Sequence, residues 1–468
     1  MIIILMVNVI SGWEKLKSQS EFANLLDISQ WKLTPYQILV LGFAGLIIFG
    51  AVLLTLPASS ATGERLKFID ALFTATSAVC VTGLVVVDTG KYFSLFGQLV
   101  IIGLIQAGGL GIMTMSTLMA LIVRKKIQLR ERLIMQEALN QLTMAGVVRL
   151  TQYIIKAALL LEFIGGTILA VRWYQDFGSK AIYFGYWHAI SAFCNAGFDL
   201  FGEFRSLTMY VDDITVNLTV TSLIILGGIG FAVISDVISN RVFSRFALHT
   251  KIVLTTTALL IFFGTLIIFL LELHNTATIG NISWQGKILG SYFQAVTTRT
   301  AGYNTLNIDV LSNATLFFMI ILMFIGASPA STGGGVKTST ASVVATAIWG
   351  HVSGKNDAEL FGRRISSNNV YKAFSLVFIS AALVIFVTMM MSVTENVDFL
   401  KLLFEVVSAF GTVGLSTGIT PNLTSYGKIW LILTMFTGRV GPVTLALALA
   451  LRKRKGTIQY PEGKVNIG

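Results

Sequence analysis

The sequence predicts an all-α membrane protein built from four tandem copies of one unit. Each unit is a spanning helix, a short re-entrant helix and a second spanning helix (M1–P–M2), and the four are expected in pseudo-fourfold arrangement around one pore. Three observations predict it. Of 468 residues, 54% are hydrophobic and only 12% charged, with a mean hydropathy of +0.77, whereas a soluble domain carries about a quarter charged residues. Eight apolar runs are each long enough to cross ~30 Å of hydrocarbon, about 20 residues. Between the members of each pair lies a stretch too short and too rich in Ser, Thr and Gly to span, and the four stretches resemble one another. The composition excludes a soluble enzyme, a disordered scaffold and a nucleic-acid binder. Two cysteines exclude a disulfide framework, and four histidines leave little for a transition-metal site.

In chain order, residues 1–35 open with the apolar MIIILMVNVI and continue as a polar stretch. That run is too short to span and lacks a charged n-region and a cleavage site, so a cytoplasmic leader is expected. The first unit, 36–148, has spans at 36–56 and 93–123 around the re-entrant stretch 68–87. The second, 149–249, has spans at 152–174 and 215–238 around 183–198. The third, 250–369, has spans at 251–271 and 314–349 around 286–304. The fourth, 370–468, has spans at 371–393 and 428–451 around 399–416, and then a tail. With both termini cytoplasmic, the inner segments, 124–132 and 452–455 among them, hold 21 of the 34 Lys and Arg residues. That bias predicts the sidedness of a multi-pass cell-membrane protein and accounts for the net charge of +11. The re-entrant stretches then enter from outside.

Aligned on one glycine, those stretches read FTATSAVCVTGL, WHAISAFCNAGF, YFQAVTTRTAGY and FEVVSAFGTVGL. The glycines are Gly83, Gly197, Gly302 and Gly414, separated by 114, 105 and 112 residues. Ten positions before each stands an aromatic residue: Phe73, Trp187, Tyr292 and Phe404. Three of the four carry Ser-Ala at six and five positions before, at Ser77, Ser191 and Ser408. One unit has been quadruplicated. Each stretch reads as a short helix running into an extended strand: Cys80, Val81, Thr82, Gly83; Cys194, Asn195, Ala196, Gly197; Arg299, Thr300, Ala301, Gly302; and Gly411, Thr412, Val413, Gly414. Non-helical backbone at membrane depth is tolerated only where it is buried in protein or lines a watery cavity. Four such strands can ring an axis with carbonyls, which replace the hydration shell of a monovalent cation. Helix C-termini aimed at the axis would add their negative dipole ends.

The third unit differs in its second span, where Gly326, Ala327, Ser328, Pro329, Ala330, Ser331, Thr332, Gly333, Gly334 and Gly335 interrupt the apolar run. Such small or helix-breaking residues cannot hold a helix, so a loop below the ring, in the conduction path, is expected. Shorter glycine clusters at 108–111, 227–230 and 438–441 read as close packing or kinks. Arg439 lies mid-span, where a charge is a functional-site candidate by default. Lys337, just after the loop, could add its charge to a barrier there, but is expected rather to snorkel to the cytoplasmic interface. Arg299 should point behind its strand, with Glu405 the best neutralising carboxylate. Cys80 and Cys194 share its register and read as small buried hydrophobes rather than a metal or redox pair. Glu64, Asp70, Asp88, Asp212, Asp213, Glu395 and Asp398 offer either cation-attracting charge at the mouth or ordinary loop solvation, and none is singled out.

The segments TSAVCVTGL, SAFCNAGF, VTTRTAGYN and SAFGTVGL, with the four-unit layout from about Leu33 onward, resemble the superfamily of potassium transporters that includes Ktr, Trk and HKT. The short leader is closer to the Ktr membrane subunit, or its sodium-ATPase-operon relative, than to Trk. The resemblance implies that the sixteen strand residues form a selectivity filter. It also implies that 326–335 is an intramembrane gating loop, met by Arg439 as an electrostatic bar. One glycine per strand accompanies potassium selectivity in this family, and serine in the first marks sodium-preferring members. All four are glycine here, which implies K+ as the transported ion, with Na+ as a candidate coupling or activating ion and no covalently bound cofactor. The implied partners are a second copy in a homodimer, aided by the tail 460–468, a cytosolic nucleotide-binding ring of the RCK/KTN type, and membrane lipid. A sodium or unselective monovalent-cation transporter of the same fold is the alternative. A secondary transporter of an organic solute would call for inverted repeats, and these units share one orientation. No Ser/His/Asp, HExxH or paired-carboxylate set lies at membrane depth, so no enzyme is expected.

Overall fold

The computed structural model describes residues 34–111, 147–355 and 357–449, with isolated positions between 112 and 146. The leader, the basic segment 124–132 and the tail expected after residue 449 lie outside the described residues. In the first unit, α1 (Pro35–Leu54) is followed by the short α2 (Phe68–Val79) and by α3 (Leu95–Leu110). The second holds α4 (Val147–Phe177), α5 (Lys180–Phe193), α6 (Ile214–Gly228) and α7 (Phe231–Asn240). The third holds α8 (Leu248–Glu272), α9 (Trp284–Thr297), α10 (Asn313–Phe324) and α11 (Thr338–Val352). A hairpin, β1 (Glu359–Leu360) against β2 (Arg363–Arg364), pairs Glu359 with Arg364 and Leu360 with Arg363 before the fourth unit. That unit holds α12 (Ser367–Thr394), α13 (Phe399–Gly411), α14 (Ser425–Val440) and α15 (Pro442–Leu449).

Among the described residues, α1, residues 151–177 of α4, α8 and α12 are long and apolar enough to cross a membrane, and α6 with α7 forms a further pair bent by 97°. The chain is a multi-pass membrane protein. The first helix of each unit carries large apolar side chains outward, such as Phe262 and Phe263 on α8 and Phe378 and Val393 on α12. Contiguous apolar surface of that kind is costly in water and neutral against lipid tails. Its inward face (Val384, Val387 and Met391 on α12) packs on the core. The short helices sit inside: α2 is buried at every residue from Phe73 to Val79.

The second helix of each unit begins at a side-chain cap. Ser94, Asp213, Ser312 and Thr424 accept from the N–H groups of Gly97, Val216, Thr315 and Gly427 at 3.3, 3.0, 3.2 and 3.2 Å. Each cap satisfies a donor the helix start would orphan. These helices do not continue as single spans. They stop at Leu110, Gly228, Phe324 and Val440, and Gly111, Gly230 and Gly441 take φ of +87°, +91° and +93° at three of the breaks. The glycine clusters also pack closely: a methyl group on Gly108, Gly227 or Gly438 would overlap the carbonyl oxygen of Val79, Phe193 or Phe410 at the end of the short helix. Packing and break are two uses of one cluster.

Each seam between units is clasped on the face into which the short helices' loops open. Lys91 pairs with Glu203 at 2.9 Å across the first seam. Gln285 donates to the Asp212 carbonyl at 2.8 Å across the second, and Lys401 pairs with Asp309 at 2.6 Å across the third. Lys428 closes the circle onto Asp70 at 2.7 Å. That last pair is 13% exposed on both sides, whereas Lys355 with Glu359 is 60% and 52% exposed. Removing one partner of a largely buried pair strands the other charge, and an exposed pair is worth ~0–1 kcal/mol. Lys428→Met should therefore lower detergent-phase stability by about 2 kcal/mol, read as a drop in the thermal unfolding midpoint. Lys355→Met should leave the midpoint in place.

Candidate functional site

Each short helix ends on the same device. The N–H just before the glycine returns to a helix carbonyl: Thr82 to Ser77, Ala196 to Ser191 and Val413 to Ser408 at 2.8 Å each, and Ala301 to Thr297 at 3.0 Å. The hydroxyl of that same helix residue ties the strand again. Ser77 and Ser408 accept from the N–H groups of Gly83 and Gly414 at 3.0 Å. Ser191 donates to the Phe198 carbonyl at 3.0 Å, and Thr297 to the Tyr303 carbonyl at 2.5 Å. The recurring serine of the sequence is thus the strand's anchor.

In the third unit the anchor, Thr297, stands five positions before the glycine instead of six, and the fully buried aromatic is Phe293 rather than Tyr292. One residue fewer separates helix from glycine there. The helix of the third unit is thus one residue out of step with its glycine, while Arg299, three positions before Gly302, keeps the strand position of Cys80 and Cys194.

The strands have an unusual backbone. Val81, Asn195, Thr300 and Thr412, two positions before the glycines, have φ of 51°, 58°, 72° and 51°. The glycines follow at 94°, 69°, 80° and 89°. Left-handed conformations of non-glycine residues cost about 1–3 kcal/mol and persist only where the surroundings over-determine them. Alternating left- and right-handed residues turns successive carbonyls to one side, whereas a regular strand alternates them. Among the described residues, no hydrogen bond ends on the carbonyls of Val81, Thr82 and Gly83 or of their counterparts in the other strands. These buried acceptors are available as ligands.

The strands meet as a closed ring. A methyl group on Gly83 would stand 3.3 Å from the Cα of Gly197, one on Gly197 2.6 Å from Gly302, one on Gly302 3.4 Å from Gly414, and one on Gly414 2.9 Å from Gly83. Only glycine admits both this approach and this φ. Above the ring lies a cavity of about 690 Å³ whose floor is the four glycines and whose wall includes Asp199, Glu203 and Asp309. Burial pushes the Asp199 carboxyl up to about 7, although the N–H of Phe201 donates to it. The hydrogen bond from Lys91 and the charge of Arg205 hold the Glu203 carboxyl below its ordinary range.

Residues 326–335 pack beneath the ring. Ser328 and Thr332 donate from their N–H groups to the carbonyls of Gly228 and Gly227 at 3.0 and 3.3 Å, and Phe231 N–H donates to Ala330 at 3.2 Å. The Pro329 carbonyl lies against Gly230. The loop is pinned at its ends by Gly326 N–H to Val336 at 2.9 Å and Thr338 N–H to Ala327 at 3.3 Å, and inside by the Ser331 hydroxyl to Ser328 at 2.6 Å. Its contact with the strands runs through the left-handed residues. Gly334 N–H donates to Thr412 Oγ1 at 2.9 Å, and the Asn195 amide lies 3.2 Å from both the Thr300 and Thr332 hydroxyls. A side chain on Gly333 would overlap Thr300 Oγ1, and one on Gly334 would crowd Thr412. Arg439 donates to the carbonyl of Thr332 in the loop and to the carbonyls of Gly108 and, at 3.2 Å, Gly109.

Lys337 does not snorkel away. Its Nζ turns back to the carbonyls of Gly333 and Gly334 at 2.6 and 3.4 Å, where unpaired loop carbonyls solvate the ammonium. Among the described residues no ion pair joins Arg299 to Glu405, whose Oε1 accepts from the hydroxyls of Ser416, at 2.8 Å, and Thr420. Cys80 and Cys194 are buried free thiols, and among the described residues no three His, Cys, Asp or Glu converge on a metal site. Cys194 is more than a hydrophobe, since its thiol donates to Gln106 at 3.4 Å. Of the acids weighed from the sequence, Asp88 and Asp213 cap helices, Asp70 and Asp212 clasp seams, and Glu395 holds the Thr424 N–H at 3.1 Å. The cavity acids Asp199, Glu203 and Asp309 were missed. The signal for Asp199 was its place two residues past Gly197.

The family model described as "TrkH: Cation transport protein" matches residues 34–458. The chain is 46% identical to Ktr system potassium uptake protein B of Bacillus subtilis (strain 168), over 94% of this chain and 98% of that protein. It is 41% identical to the Potassium/sodium uptake protein NtpJ of Enterococcus hirae, over 93% of this chain and 98% of that protein. The crystal structure of the potassium transporter TrkH from Vibrio parahaemolyticus superposes with a TM-score of 0.73, covering 91% of this chain and 86% of that one, at 16% identity. That likeness shows a shared fold.

Proposed function

The chain belongs to the TrkH family of cation transport proteins and is no enzyme, and from that premise we propose that it is the ion-conducting membrane subunit of a potassium-uptake system. The observation that carries this reading is the closed ring of four glycine strands, whose left-handed residues recur at one offset and whose carbonyls have no protein partner among the described residues. Such carbonyls substitute for the hydration shell of K+. The anchoring hydroxyls and the tight inter-strand contacts fix their spacing. Each unit is one M1–P–M2 repeat, giving eight spans in the cell membrane, with both termini cytoplasmic and the cavity above the ring facing outward. Sodium enters as a coupling or activating ion; the Enterococcus relative is named a potassium/sodium uptake protein. The subunit works as a homodimer on a cytosolic nucleotide-binding ring.

The loop 326–335 is the gate. It touches three of the four strands through Asn195, Thr300 and Thr412, and it is held by Arg439 and Lys337. A guanidinium and an ammonium below a cation filter oppose conduction by charge. The charge-assisted bonds that hold the loop are worth roughly 1.5–3 kcal/mol each, which suffices to bias a two-state element.

Two outcomes test the reading. Gly83→Ser brings a Cβ to 2.5 Å from the Ala196 carbonyl oxygen at a φ of +94°. It should lower K+ over Na+ selectivity at normal expression, measured by rubidium and sodium uptake into potassium-transport-deficient cells. An unchanged ratio would remove Gly83 from the coordinating ring. Deleting residues 330–333 removes the loop's bond to Phe231 and the carbonyl that Arg439 grips. It should raise initial uptake velocity with little change in apparent affinity. Arg439→Ala should act in the same direction and be less than additive with the deletion. Slower uptake by the deletion variant at normal expression would make the loop structural.

A further inference from the structure

Glu162 has no part in the ring or the gate, yet it is a carboxylate at the midpoint of α4, 5% exposed. A charge there is expensive to insert, and among the described residues its partner is a single group. Gln106 Nε2, from α3 of the preceding unit, donates to both Glu162 oxygens, at 3.0 and 3.1 Å. With its nitrogen committed, the Gln106 amide must present its oxygen on the other side. That oxygen accepts from the Cys194 thiol at 3.4 Å. Cys194 is the first of the second strand's four residues and is fully buried. It is seated against Gly109, where a methyl group would stand 2.7 Å from its Sγ. The chain of contacts therefore runs from a lipid-facing span, through one amide, to the root of the strand that ends in Gly197.

Among the described residues the arrangement is found in the second unit alone. Cys80, in the same register of the first strand, has no such partner among the described residues, and Gly411 of the fourth has no side chain. The amide has two orientations, and only one offers an acceptor to the thiol. In the structure both Glu162 oxygens accept from the amide nitrogen, and that contact selects the orientation. We propose that Glu162 and Gln106 are a positioning pair that fixes the second filter strand through Cys194, so that this carboxylate helps set K+ over Na+ discrimination without touching the ion. The inference rests on the filter reading given above.

The test is the ratio of rubidium to sodium flux in proteoliposomes of the purified full chain. Glu162→Gln keeps the shape but offers an N–H that competes for the Gln106 oxygen. It should lower the ratio by about threefold or more. Exchanging the two residues, Glu162→Gln with Gln106→Glu, again gives the thiol an acceptor held by a neighbouring amide, and should bring the ratio back to within about twofold of the starting protein. A loss of fold alone would not be repaired by that exchange. An unchanged ratio in the single variant, or an exchanged pair no better than the single, overturns the proposal. If Glu162→Gln is not recovered from membranes, Glu162→Asp, one methylene short of Gln106, should show the same fall, and an unchanged ratio there overturns it equally. Gly197→Ser separates the two readings. A changed ratio in that variant with an unchanged one in Glu162→Gln sinks the positioning pair alone. An unchanged ratio in Gly197→Ser sinks the filter reading and the pair with it.

Discussion

The structure depends on how non-helical backbone is satisfied in the middle of a membrane protein. Each of the four strands leaves a helix inside the fold, where there is no bulk water to take its polar groups. The donors are dealt with locally: the N–H before each glycine returns to the end of its own helix, and in the first and fourth units a serine hydroxyl takes the glycine's own N–H. The acceptors are treated in the opposite way. Left-handed residues at a fixed offset turn the carbonyls together, and no described group binds them. Buried carbonyls without a protein partner, held beside anchored N–H groups, are the arrangement that suits a cation. The same rule extends downward, where the loop carbonyls that no backbone pairs are taken by Arg439 and Lys337.

How much of this was legible in the sequence varies with the physics involved. The ring was legible, because glycine at four equal offsets is the residue that both a left-handed φ and a contact with the neighbouring strand demand. The Ser-Ala pair was visible as a repeat, although its meaning as an anchor was not, since a hydroxyl's partner is a matter of geometry. The third unit's one-residue difference was hidden because alignment on the glycine forces the helix out of register. Thr297 in place of serine then looked like a departure, when it is the same device one position nearer. The break in the third unit's second helix was plain from its run of small residues. The breaks at Gly111, Gly230 and Gly441 were harder to read, because each cluster is short and its first glycines serve the packing of a short helix.

The charges were the least legible part. Lys337 was expected at the interface on the ground that long cations snorkel, but the loop offers it two carbonyls at closer reach. Glu405 was expected to meet Arg299, but its Oε1 is held by the hydroxyls of Ser416 and Thr420, beyond the strand. Pairings of this kind depend on a fraction of a turn of rotation, which no spacing in the sequence records. The end of α3 concentrates several of them. Gly108 and Gly109 accept from Arg439, which also grips the loop 326–335, Gly109 seats Cys194, and Gln106 joins Cys194 to Glu162, so one short segment of the first unit bears on the loop and the second strand together.

The central claim is that these carbonyls hold the ion, and the most direct measurement is the anomalous scattering of Rb+ or Tl+ in crystals of the protein grown with that ion in place of K+. The account predicts peaks on the axis of the ring, at the level of the carbonyls of Thr82, Ala196, Ala301 and Val413, with oxygens of all four strands around them. Ion density confined to the cavity beside Asp199, Glu203 and Asp309, with none between the strands, would contradict it.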